Sequence, residues 1–261
     1  MFQTFFGTKM ASTRKFAFRG AVLAAALVTA SFQGVLAQQD QGFLFGAPKA
    51  SLTLRLGYSV PRAGSELFDF TQNQLTIDPN DFNGAAVSGE LAVRMTERVD
   101  FTMGLGYAGS VTRSEFRDWV DADDLPIEQQ TEFDMVPITA GFKTYLGQRG
   151  RSIGQLAWVP QSKINPYVGA AAGVTWYRFE QFGDFIDSES LDIFSDNLLS
   201  DGFTPTVHVM GGLDVTLTPR VYFSGEARYG WANAPLSGDF VGFDDLDLAG
   251  FQASAGIGFR F

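Results

Sequence analysis

His208 is the sole histidine in the chain, and cysteine is absent. An imidazole beside a serine or aspartate can act as a general base. Triads of that kind are assembled in space, and no Ser-His-Asp spacing is visible along this chain. The expected role of His208 is therefore an interior hydrogen-bonding residue, and no catalytic residue is assigned. Asp121, Asp123 and Asp124 place carboxylates close enough together to attract Ca²⁺. The turn glycine and the spaced closing glutamate of a calcium loop are missing, so these three form only a weak metal candidate in a solvated acidic loop. Gly104-Leu105-Gly106-Tyr107-Ala108-Gly109 spells G-x-G-x-x-G. Phosphate cradling requires a helix after the glycines, and this stretch alternates as a strand, so no cofactor is expected.

A second group of ionisable residues has a clearer pattern. Arg55, Glu90, Arg94, Asp100, Lys143, Asp214, Glu226 and Arg228 each stand on the small, polar side of an alternating segment. Four are basic and four acidic. A lone charge in a narrow interior is costly to desolvate, whereas opposite charges compensate one another. The expectation is an interior charge network that plugs the space the strands enclose.

The alternation that places these charges has a period of two, the strand period. Leu52, Leu54, Leu56 and Tyr58 share one face of the first segment. Val87, Leu91, Val93 and Met95 share one face of the second, which turns at Thr96-Glu97-Arg98 into Val99, Phe101, Met103, Leu105 and Tyr107. The fourth carries Val136, Ile138 and Phe142, and the fifth Val168, Val174 and Trp176. The sixth carries Val207, Val209, Leu213, Val215 and Leu217, and turns at Thr218-Pro219-Arg220. The seventh carries Val221, Phe223, Tyr229 and Trp231. The last runs through Phe251, Ile257, Phe259 and Phe261. The opposite positions are mainly Gly, Ala, Ser and Thr. Eight such segments imply an all-β, eight-stranded antiparallel up-and-down transmembrane β-barrel over residues 50–261.

Large apolar side chains suit lipid, and small residues suit a crowded lumen. Tyr58, Tyr107, Trp176, Tyr229 and Trp231 fall near one set of strand ends, where an aromatic girdle belongs. Four long connections, at 62–84, 112–134, 179–203 and 232–247, join the strands at that end. They hold 23 of the 29 acidic residues and three arginines, a net charge of −20. The stretch 184–201 mixes acids with apolar residues and suggests a short amphipathic helix or lid. The long connection 147–165 breaks the pattern and is expected to be an elaborated turn at the opposite end.

The N-terminus carries Lys9, Arg14, Lys15 and Arg19, then an apolar run from Ala21 to Ala30, then Val35-Leu36-Ala37. This reads as a cleaved export signal over residues 1–37, followed by a short periplasmic segment over 38–49. Without the signal the chain has a net charge of −14, which argues against nucleic-acid binding. Without cysteine there are no disulfides.

On the eight-strand alternation, the strand start Asn165-Pro166-Tyr167-Val168-Gly169-Ala170 and the ending Phe259-Arg260-Phe261, the chain resembles the eight-stranded outer-membrane barrels of the outer-membrane protein A and W type. The resemblance covers about residues 50–261. It implies a place in the bacterial outer membrane, contact with lipid and lipopolysaccharide, and recognition by the barrel-assembly machinery through Phe259 and Phe261. Proteins of this type include structural, adhesive and channel-forming members, so the resemblance does not fix a role. The leading expectation is a non-enzymatic structural or surface-interaction protein. The alternatives are a narrow channel for ions or small apolar solutes and an embedded lipid-modifying enzyme.

Overall fold

The computed structural model describes residues 42–154, 156–187 and 190–261. The expected export signal lies outside the described residues. Eight strands close on themselves: β1 (Ala50–Pro61), β2 (Gly84–Arg94), β3 (Val99–Val120), β4 (Pro126–Tyr145), β5 (Ile164–Ile186), β6 (Ile193–Thr216), β7 (Val221–Trp231) and β8 (Gly250–Arg260). Each pairs antiparallel with its sequence neighbours, and β8 pairs with β1 to complete an up-and-down barrel. The seam is finished by Phe261, whose carbonyl accepts bonds from the amides of Lys49 and Ala50 at 2.9 and 3.0 Å. Closure leaves no unpaired edge within the eight-strand ring, which is what allows a sheet to sit in hydrocarbon; only the tall extensions, β3 beyond Gly109 and β6 before Val207, pair on one side.

The side chains sort as the alternation predicts. Leu56 is 72% exposed and Val168 53%, while Arg55 and Lys143 are each 2% exposed. A water-soluble barrel would have the opposite arrangement. Tyr58 on β1 and Trp231 on β7 stand outward near one end of the eight-strand ring, and Tyr107 stands outward on β3. Leu146, Ile164, Leu217 and Phe261 stand outward near the other end.

Two of the turns share one chemistry. In Thr96-Glu97-Arg98-Val99 and Thr218-Pro219-Arg220-Val221 the threonine hydroxyl oxygen accepts the valine amide, at 3.0 Å in each. Such hydroxyl-capped turns fix tight connections without requiring glycine. Pro137 interrupts the β3–β4 ladder, because it has no amide to donate. Gly106 lies opposite, where an added Cβ would stand 3.1 Å from the proline ring.

The expected loops 112–134 and 179–203 are mostly strand. β3 and β4 continue for 22 and 20 residues, and β5 and β6 for 23 and 24, leaving tips of only a few residues. Their outer halves lose apolar alternation because both faces there carry polar residues, such as Ser114 and Glu115. The expected helix over 184–201 is likewise overturned: the described residues of the segment form a hairpin whose paired rungs include Phe185 with Phe194. The connection between β1 and β2 instead supplies the helix, α1 (Glu66–Gln74), which buries Leu67, Phe68 and Thr71. With the β7–β8 connection it forms an apolar cluster at the tall end, where Phe68 meets Phe82, Phe133 and Phe179 edge-on at 4.7–5.9 Å.

The 147–165 connection folds as a small hairpin, Gly150–Ile153 against Ala157–Pro160, and Leu44–Phe45 adds a third strand. This sheet holds Trp158 fully buried at the lower mouth of the barrel. Gly150 lies flat against the indole, where a Cβ would collide with the ring. The expectation of an elaborated turn holds, with capping of the barrel mouth as its structural consequence.

Candidate functional site

The middle of the barrel brings together five of the eight charged residues predicted to face inward. Lys143 on β4 extends Nζ to Glu90 Oε1 on β2 at 2.6 Å and to Glu226 Oε2 on β7 at 2.9 Å. Arg55 on β1 lies 3.4 and 3.5 Å from the same two carboxylates, and Arg228 reaches the other oxygen of Glu226 at 2.9 Å. Four strands of the wall, β1, β2, β4 and β7, are therefore tied together across the lumen by three cations and two carboxylates. The alternation requires this placement, because each residue occupies an inward position of its strand.

Neutral groups complete the coordination. Tyr167 donates its hydroxyl to Glu226 Oε2 at 2.8 Å, and its ring lies 4.3 Å beneath the Lys143 ammonium. Arg55 donates Nε to Ser224 Oγ at 3.2 Å. Buried ions persist only when their remaining bonding capacity is largely satisfied, and these partners supply much of it. The cavities immediately below and above measure about 20 and 50 Å³, room for a few waters at most.

The remaining predicted residues lie elsewhere in the lumen. Asp214 accepts the Tyr145 hydroxyl at 2.8 Å, on the side toward the short turns. Asp100 belongs to a separate pair there. Both its oxygens are held at 2.7 Å by Arg149, whose guanidinium stacks 4.1 Å over Tyr145. Arg94 turns to the Thr96 carbonyl at 3.3 Å. Arg149 escaped the sequence reading because it sits in the irregular connection. Tyr145 and Tyr167 escaped it although their positions share the parity of the charged set, whereas Tyr222 stands on the inward face of β7 that the alternation predicts. Tyr222 bonds Thr53 Oγ1 at 2.7 Å and lies beneath Arg260 at 4.5 Å.

His208 Nε2 lies 3.0 Å from Thr206 Oγ1, and its Nδ1 makes no hydrogen bond among the described residues. Among the described residues no carboxylate bonds the ring as one orients a catalytic imidazole. Asp121 spends its Oδ1 on the amides of Asp123 and Leu125, both at 2.8 Å, which caps the β3–β4 tip. Asp123 and Asp124 lie in the same turn. Gly104 and Gly106 lie within β3, with no helix following. Phe259 is on β8 paired with Leu52, and Phe261 projects outward at the barrel base.

Exposed apolar side chains around a charged, hydrogen-bonded interior define the class: the chain is a small transmembrane β-barrel. No protein family and no curated protein matches its sequence. Among solved structures it is similar to Neisserial surface protein A, at 14% identity over 85% of this chain and 98% of that one, with a TM-score of 0.48. It is also similar to the outer membrane protein OprG from Pseudomonas aeruginosa, at 15% identity over 84% and 98%, with a TM-score of 0.44. A third is outer membrane protein W of E. coli, at 15% identity over 83% and 99%, with a TM-score of 0.36.

Proposed function

We propose that this chain is an exported barrel of the bacterial outer membrane, closed to through-flow, with a structural or surface-interaction role. The observation that carries the reading is Lys143 bridging Glu90 and Glu226 across the lumen. An eight-stranded barrel is just wide enough for its side chains to fill, and here they are mutually bonded rather than parted around water. The export signal at the N-terminus supports the location. The outward apolar belt supports seating in lipid and lipopolysaccharide, and the terminal Phe259 and Phe261 support insertion by the barrel-assembly machinery. The acidic tall hairpins face the medium. The imidazole of His208, bonded to Thr206 and to no carboxylate among the described residues, gives no support to an enzyme.

Planar-bilayer recording on the refolded protein tests the closure. The expected trace is flat in molar potassium chloride, with folding established by heat-modifiable mobility. Reproducible unit conductance steps from the folded protein would overturn the reading in favour of a channel.

A further inference from the structure

We propose that the tall end of the barrel carries a binding site for a small, largely apolar organic cation. A cavity of about 640 Å³ lies there, between α1, the β3–β4 and β5–β6 hairpins and the 238–243 turn. Sites for small organic ligands fall in the range of about 300–1,000 Å³. Its floor is buried: Thr71, Leu75, Gln129, Gln181 and Phe240 form it. Its mouth is open: Phe70, Trp119 and Phe194 are each exposed by more than two-fifths, at 47, 45 and 44%. Graded exposure of this kind describes a pocket entered from the medium. Beneath the floor the aromatic cluster around Phe68 fills the barrel.

The chemistry of the walls selects the ligand. Phe116, Phe185 and Phe243 join the aromatic residues of the floor and mouth. Phe185 and Phe194 stack with centroids 5.9 Å apart, and Phe70 meets Phe243 at 5.4 Å. Aromatic faces present negative potential to a cation held over them. Among the described residues the sole charged group in the lining is Asp239, an anion. Among the described residues, the surrounding segments 113–129, 181–198 and 238–245 carry thirteen acidic residues and two arginines. That field attracts cations and repels anions over about one Debye length, roughly 8–10 Å at physiological salt. An apolar anion such as a fatty-acid carboxylate fits the walls but not the field. A strongly hydrated cation such as a polyamine fits the field but not the walls. A cation with an aromatic or bulky aliphatic frame fits both.

Tetraphenylphosphonium and tetraphenylborate share one shape and differ in charge, so they separate these terms. Equilibrium dialysis of the full protein in lipid nanodiscs, against empty nanodiscs, is expected to show saturable one-to-one binding of the phosphonium alone, weakening as salt is raised. Phe194→Leu keeps the wall apolar but removes a π face, and is expected to weaken binding roughly three- to thirtyfold, the span of one cation–π contact. Leu198→Trp fills the cavity and is expected to abolish binding. Heat-modifiable mobility verifies that each variant is folded. Equal binding of both ions, binding no greater than to empty nanodiscs, or binding that persists unchanged in both variants would overturn the proposal.

Discussion

Lys143→Met will lower the unfolding free energy of the barrel by about 3–5 kcal/mol, the cost of stranding buried charge. The replacement keeps most of the side-chain volume, so packing changes little and the effect isolates the ammonium. In the native lumen that ammonium stands within hydrogen-bond distance of both Glu90 and Glu226. Without it the two carboxylates share the more distant Arg55, and only Glu226 retains Arg228. Adding Glu90→Gln to Lys143→Met removes the stranded anion and should recover a substantial part of the loss, since residues in one network couple strongly. Urea titration of the barrel in lipid vesicles, followed by tryptophan emission, measures both variants. Equal stability of Lys143→Met and the native protein would show that the network contributes nothing to the stability of the barrel.

Phe68→Ala will act at the other end of the molecule and in a different manner. Phe68 is fully buried on α1 and meets three other rings of the apolar cluster. Removing a buried aromatic ring costs about 3–5 kcal/mol when the site cannot collapse. The long strands beside this cluster are held in the β3–β4 and β5–β6 ladders, so α1 and its flanking connection are the parts able to give way. The loss is therefore expected as local opening. Hydrogen exchange at the α1 amides should accelerate sharply, and trypsin should cut after the exposed Arg62, while the lower barrel stays protected. Uniform acceleration across all eight strands would instead mean that the cluster is part of the barrel's global folding unit.

The lower barrel was legible because hydrocarbon outside and a crowded lumen inside impose opposite chemistry on alternate residues. Leu52, Leu54, Leu56 and Tyr58 against Thr53, Arg55 and Gly57 is that rule in seven residues. The same rule placed Arg55, Glu90, Lys143 and Glu226 inside. It gave no information above the lipid, where the outer face of β3 is wet. Glu115 and Arg117 there face water as readily as Ser114 faces the interior, so strand and loop look alike. The apolar cluster was harder still, because Phe68, Phe133, Phe179 and Phe240 come from four separate stretches of chain. A helical signal did exist in the spacing of Leu67, Phe68, Thr71 and Leu75, but it was overshadowed by the acidic residues around it. Arg149 and Asp100 lie 49 positions apart, and no local pattern links a residue in an irregular connection to a distant carboxylate.

The inside-out arrangement carries the remainder of the account, and NMR of the methyl-labelled protein in nanodiscs reads it directly. Magnetisation transfer from lipid acyl chains should reach the methyls of Leu54, Leu56, Val168, Val207 and Val209, and should miss those of Ala92, Ala171 and Met210. Transfer to Ala171 and Met210, with none to Leu56 or Val168, would contradict it.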